Sequence, residues 1–141
     1  MILLDTNHVS ILRMPPSERR TRLVERMTLA HDETFGIPIV VVEETMRGWL
    51  AAVAKERLAQ RQVAAYRELG SLFAFFATFQ IAPFDRAAAD RFDSLHAAQI
   101  RIATRDLKIA AISLVNNALL LTANRRDFEK VPGLRFENWL E

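Results

Sequence analysis

The chain has 141 residues, half of them hydrophobic and 26 % charged, which fits one folded domain (1–141) and excludes a disordered or low-complexity protein. Nineteen Lys and Arg against 17 Asp and Glu leave a formal charge of only +2, so net charge alone gives no argument for nucleic acid. No apolar run approaches the ~20 residues of a membrane span; the opening MILLDTN lacks the basic start of a secretory signal, and the absence of cysteine removes disulfides and thiolate chemistry, so a cytoplasmic location is expected.

In chain order, Ile2–Leu4 is a short apolar run that ends at Asp5 and reads as a strand. Asn7–Arg13 reads as a short helix that stops before Pro15–Pro16, and Ser17 as the cap of a second helix reaching about Leu29. IPIVVV (Ile37–Val42) is β-branched and predicts a second strand ending at Glu43–Glu44. Two helices follow, Glu44 to about Lys55 and Gln60 to about Thr78, with Gly70 a weak point in the second. Gln80–Phe84 predicts a third strand; Asp85 caps a helix to about Ile100, and Thr104 caps another over Asp106–Asn117. Ala118–Leu121 predicts a fourth strand, and Pro132–Gly133 marks a turn before a short last strand over Leu134–Glu137. Strands apolar on both faces, alternating with helices, predict an α/β chain in three layers, α/β/α, around a mainly parallel sheet of four to five strands.

The acids are informative by position. Asp5 follows the first predicted strand, Glu44 lies two residues past the second, and Asn124 and Asp127 follow the fourth. Groups beyond the carboxyl ends of parallel strands share one crevice, where ligands bind. Asp106 sits amid Ile102, Ala103, Ile109 and Ala110, so its carboxylate interrupts an apolar stripe. Such a carboxylate needs a partner or a cation; equally, first-turn backbone N–H groups and the helix dipole satisfy it. Asp5 reads also as a plain helix cap, Glu43 and Glu44 as first-turn acids, and Asp127 as a turn residue. Gly48, four residues after Glu44, leaves room beside that side chain and for close helix approach. Taken singly, each acid other than Asp106 reads as structural; their shared sheet edge favours a site. Gathered carboxylates raise one another's pKa unless a cation joins them. Oxygen ligands without His or Cys suit Mg²⁺ or Mn²⁺, ions that activate water and stabilise charge on a phosphodiester.

MILLDTN, VVVEETMRG, RDLKIAAISL, LLLTANRRDF and VPGLRFENW, in that order, resemble the motifs of PIN-domain ribonucleases, above all the VapC-type toxins of bacterial toxin–antitoxin pairs. The resemblance runs from Met1 to Trp139. By position, Asp5 matches the family's first acid and Asp106 the third; Glu44, four residues before Gly48, matches the second and leaves Glu43 out of register. The family's fourth acidic position falls on Asn124, a departure that keeps a neutral oxygen, with Asp127 a nearby carboxylate. Thr6 and Thr122 resemble polar residues that line such sites. The resemblance implies Mg²⁺- or Mn²⁺-dependent endonucleolytic cleavage of RNA, with Asp5 and Asp106 holding the ion and Glu44 a ligand or proton acceptor. It also implies hydrolysis by an activated water that leaves 5′-phosphate and 3′-hydroxyl ends. Its implied partners are an antitoxin whose C-terminal segment covers the site, and a second copy in a homodimer.

Arginines cluster at Arg19–Arg26, in Lys55–Gln62 and near the acids, at Arg47, Arg101, Arg105, Arg125 and Arg126. Arg19–Arg26 reads as a solvated helix face, whereas Arg47, Arg125 and Arg126 are candidates for RNA phosphates. Leu72, Phe75, Phe76 and Phe79 share one helical stripe and read as core; Phe73 falls to one side and is a candidate contact for an antitoxin or second subunit. His8, His31 and His96 lack metal-ligand spacing. Two other functions compete. An aspartate-nucleophile phosphatase typically has a second aspartate two residues after the first, where Asn7 stands. A PIN-like binding domain without turnover is made credible by Asn124 and opposed by the three intact acids.

Overall fold

In the computed structural model, which describes all 141 residues, strand β1 (Ile2–Leu4) is the middle of a five-stranded sheet, and all its side chains are buried. It pairs in parallel with β2 (Phe35–Pro38) on one side and β4 (Leu119–Leu121) on the other. Beyond β2 lies β3 (Gln80–Ala82), and beyond β4 lies β5 (Arg135–Glu137), both parallel, giving the order β3-β2-β1-β4-β5. Parallel neighbours need crossovers, and helices supply them. Helices α1 (Thr6–Arg13) and α2 (Glu18–Leu29) join β1 to β2, and α3 (Ile39–Lys55) and α4 (Ala59–Phe76) join β2 to β3. Helices α5 (Arg86–Ala97) and α6 (Thr104–Val115) join β3 to β4, and the single turn of α7 (Arg125–Phe128) leads to β5. This is the three-layer α/β/α architecture expected, with every strand parallel. No helix is long and apolar enough to cross a membrane.

Local chemistry accounts for most boundaries. Ser17 caps α2 by accepting the Arg20 N–H at 3.1 Å, and Asp85 caps α5 by accepting the Ala88 N–H at 3.0 Å. Gly133 takes a left-handed φ of +78° in the turn before β5, a conformation that favours glycine. Leu3, Leu4, Ile37, Ile109, Ile112, Leu120 and Leu121 have no exposed surface and form the centre of the core. Burying each such side chain stabilises the fold by about 1.5–3 kcal/mol. Gly36 sits where β2 passes between β1 and β3; a Cβ there would lie 2.9 Å from the Gln80 carbonyl oxygen and 3.0 Å from a Leu3 methyl. Leu72 is buried and Phe75, Phe76 and Phe79 pack on the core, while Phe73 is 66 % exposed, as the stripe predicts.

Four expectations need correction. The β-branched run Ile39–Val42 is the first turn of α3 and not a strand, because β2 stops at Pro38. Helical geometry buries Val40 and Val41 and turns Ile39 outward, so tertiary packing overrides strand preference. Glu44 therefore lies on α3 itself. Thr104 is the first residue of α6 and not its cap; Ala103 stands at the cap position without a side-chain hydrogen bond. Gly48 makes no close helix approach, since a Cβ there would meet nothing within 4 Å. Strand β3 ends at Ala82, short of Phe84.

The strand order reverses direction beside β1. The chain moves from β1 to β2 and β3 on one side, then crosses to β4 and β5 on the other. A crevice opens at such a switch point, beyond the carboxyl ends of the two strands. Asp5 follows β1 there, and Thr122 follows β4.

Candidate active site

Asp5 serves two elements at once. Its backbone is still extended, so it can end β1 and cap α1; one carboxylate oxygen, Oδ1, accepts the Thr6 N–H at 2.7 Å. The other, Oδ2, accepts the Thr122 hydroxyl at 2.8 Å, and Thr122 Oγ1 in turn accepts the Asn124 N–H at 3.0 Å. The cap reading of Asp5 is thus correct and leaves its second oxygen to the crevice. The residue is only 7 % exposed. Burial raises its carboxyl above the ordinary range; the Thr6 N–H and Thr122 hydroxyl lower it, Glu44 raises it and Arg105 lowers it.

Asp106 lies in the first turn of α6 and is 6 % exposed. Ile109 and Ala110 flank it as buried neighbours and Ile102 is half-buried, although Ala103 is exposed, so the apolar stripe is narrower than predicted. Burial raises the Asp106 carboxyl first, and the charge of Asp5 adds to that. Arg105 opposes the rise, while Asp127 and Glu44 reinforce it. Asp106 therefore feels the charge of a carboxylate far from it in sequence.

Glu44, and not Glu43, turns toward these acids. Its Oε2 accepts the Thr6 hydroxyl, and its Oε1 pairs with Arg105 Nη1 at 2.9 Å. Glu43 faces solvent and pairs with Arg47 at 2.8 Å, one helical turn on. Arg105 Nη2 also stands 3.8 Å from Asp106 Oδ1. Two clefts meet at Arg105. On one side is a cleft of about 460 Å³ lined by Asp5, Thr6, Asp106 and Asn124. On the other is a cleft of about 340 Å³ lined by Glu43, Glu44 and Arg47. Arg105 lines both.

Asn124 caps α7, its Oδ1 accepting the Asp127 N–H at 3.4 Å. Its Nδ2 lies 3.1 Å from Asp127 Oδ2 and 3.4 Å from Asp106 Oδ2. Asn124 thus presents an amide donor to the acids, and its oxygen is spent on the helix. Asp127 also stands 3.8 Å from Lys130. Of the candidate phosphate contacts, Arg47 belongs to the Glu44 side, Arg125 lines a neighbouring cleft with Arg26 and Glu137, and Arg126 is exposed. Two arginines of the cleft have more part in it than their sequence positions suggest. Arg19 lines the Asp5 cleft, although its helix reads as a solvated face. Arg105 was legible only as the neighbour of Asp106.

The donor set is oxygen-only, and its two buried carboxyls are raised by burial and by neighbouring acids, Asp5 by Glu44 and Asp106 by Asp5. That is the environment a hard divalent cation relieves, so the residues fit one chemically. As the side chains stand, no three acids are arranged to hold one ion. Both Glu44 oxygens are engaged, by Thr6 and by Arg105.

The PIN-domain family model matches residues 2–134. The chain belongs to the PIN-domain family. No curated protein matches. Among solved structures, this PIN domain is similar to VapBC2 from Rickettsia felis bound to a promoter DNA fragment, with 26 % identity, a TM-score of 0.73 and 99 % of both chains covered. It is similar also to FitAcB from Neisseria gonorrhoeae, with 25 % identity, a TM-score of 0.71, and 99 % of this chain and 98 % of that one covered. DNA-bound VapBC from Salmonella typhimurium shares the fold at 24 % identity and a TM-score of 0.73, with 98 % and 97 % covered.

Proposed function

We propose that this PIN domain is an Mg²⁺- or Mn²⁺-dependent endoribonuclease and the toxin of a VapBC-type toxin–antitoxin pair, acting in the cytoplasm as one folded unit. One observation carries the reading: Asp5 and Asp106, far apart in sequence, are buried against a single cleft, where the charge of Asp5 raises the Asp106 carboxyl. In this reading Asp5 and Asp106 hold the ion, and Glu44 is a third ligand or takes the proton from the attacking water. Thr6 and Thr122 fix the orientations of Glu44 and Asp5. Asn124 donates to Asp106 from the β4 side, and Asp127 accepts from the same amide. A divalent ion supplies a Lewis acid that lowers the pKa of water and stabilises charge on the phosphodiester. Arg19 and Arg105 line the cleft and suit the RNA backbone, with Arg47, Arg125 and Arg126 further out. The kinship with VapBC2 supports a cognate antitoxin as partner, and exposed Phe73 suits an antitoxin helix or a second copy in a homodimer.

The test is cleavage of structured RNA by the purified protein. Mg²⁺ or Mn²⁺ should support it, chelation should stop it, and Asp5→Asn should abolish it. Equal cleavage by Asp5→Asn, or by protein in excess EDTA, sinks the mechanism. A second reading, an RNA- or protein-binding PIN domain without turnover, is favoured by one observation: Arg105 already neutralises part of the acid cluster. RNA binding without any cleavage would select it.

A further inference from the structure

The acid cluster contains its own cation. Arg105 reaches Glu44 on α3 at 2.9 Å and Asp106, its neighbour on α6, at 3.8 Å. An exposed arginine–carboxylate pair is ordinarily incidental and contributes little. Two features separate this one from that case. Asp106 is almost wholly buried and repelled by Asp5, so a positive charge beside it offsets an unfavourable one. Arg105 also lines both clefts, the one that holds Asp5, Asp106 and Asn124 and the one that holds Glu44. Thr6 and this guanidinium hold Glu44 between them, and the guanidinium takes the Oε1 oxygen. The Arg105 side chain is 48 % exposed, so packing does not lock it in place.

We propose that Arg105 competes with the divalent ion: it holds Glu44 and Asp106 in the metal-free protein and leaves before Glu44 can join Asp5 and Asp106 on one ion. The proposal rests on the metal-dependent reading above. It makes metal loading an exchange of one cation for another within the chain. Removing the guanidinium therefore tightens metal binding, whereas an ordinary supporting contact, once removed, loosens it.

Calorimetric titration of Mn²⁺ into the metal-free full chain tests this. Arg105→Gln should bind Mn²⁺ roughly tenfold more tightly than wild type, a difference of about 1.4 kcal/mol. Arg105→Lys, which keeps the charge, should stay near wild type. Metal-free Arg105→Gln should also melt below wild type and gain more from Mn²⁺. An affinity for Arg105→Gln that is unchanged or weaker overturns the proposal and leaves the metal-dependent reading intact. Absence of Mn²⁺ binding in wild type and variant alike overturns both. The wild-type chain gives a check that no variant can spoil. On saturation with Mg²⁺ the side-chain Nε–Hε resonance of Arg105 should move, and a resonance that stays fixed while Mg²⁺ binds overturns the exchange.

Discussion

His8 Nε2 accepts the backbone N–H of Trp139 at 3.2 Å, tying the helix that Asp5 caps to the C-terminal segment. His8 Nδ1 lies 3.0 Å from Asn7 Oδ1, so the hydrogen sits on Nδ1 and the lone pair on Nε2. A charged imidazole has no such lone pair. Burial lowers the His8 pKa from 6.5 to about 4, and the charge of Arg26 adds to the effect. The unfolded chain therefore binds a proton between pH 6.5 and 4 that the folded chain does not, and stability falls as pH drops through that window. The loss from this group reaches about 3 kcal/mol. Asp5 and Asp106, raised in the fold, act in the opposite direction on acidification. Comparing urea denaturation of wild type with His8→Gln cancels them. The advantage of wild type should shrink from neutral pH to pH 4 (an advantage constant with pH would contradict the assignment).

Asp106 is a charge whose burial costs stability. Its raised carboxyl means that the ionised form weakens the metal-free fold at neutral pH, and that this penalty fades as acid protonates it. In EDTA at pH 7.5, Asp106→Asn should therefore melt above wild type. Adding Mn²⁺ should reverse the order, because only wild type keeps the ligand. Melting curves that Mn²⁺ shifts equally in both proteins would remove Asp106 from the metal site.

Thr122 is the only side chain that donates to Asp5 Oδ2. Thr122→Val keeps the shape and leaves that buried oxygen, and the Asn124 N–H, without a partner, which costs about 1–3 kcal/mol. The hydroxyl also lowers the Asp5 pKa, so its loss should move the acid limb of any RNA-cleavage pH profile upward. Thr122→Ser should restore both. A Val variant with normal stability and an unmoved profile would show that the hydrogen bond does not hold Asp5.

Gly36 is required by sheet packing and not by its backbone angles. A methyl group 2.9 Å from the Gln80 carbonyl forces β2 and β3 apart. Gly36→Ala should cost about 1–3 kcal/mol in chemical denaturation. Gly48→Ala, with open space around it, should be neutral or slightly stabilising in the same assay.

Short apolar runs ending in an acid made β1 and its boundary with Asp5 legible, because a strand buried on both faces leaves little ambiguity in three residues. Ser17 and Asp85 were legible as caps because capping is local chemistry. The run Ile39–Val42 misled because β-branching reports a preference that a proline stop and two buried valines outweigh. Glu44 was distinguishable from Glu43 only through the family pattern; its contact with Thr6 spans 38 residues. The part taken by Arg105 was hidden for the same reason, since its closest partner is on another helix. Which end of the Asn124 amide meets Asp106 depended on α7, a single turn with too few residues to show a period.

Ile2, Leu3 and Leu4 pair with Leu119, Leu120 and Leu121, so one edge of the central strand waits for partners more than a hundred residues away. A ribosome releasing the chain from its N-terminus exposes Leu3 and Leu4 long before that partner strand is made. Until then Asp5 lacks the Thr122 hydroxyl and Asp106 lacks the Asn124 amide. Contacts so distant in sequence also slow folding once the segment is free. The hydrogen bonds that Thr122 and Asn124 give to these two acids therefore come into being only after β4 has left the exit tunnel.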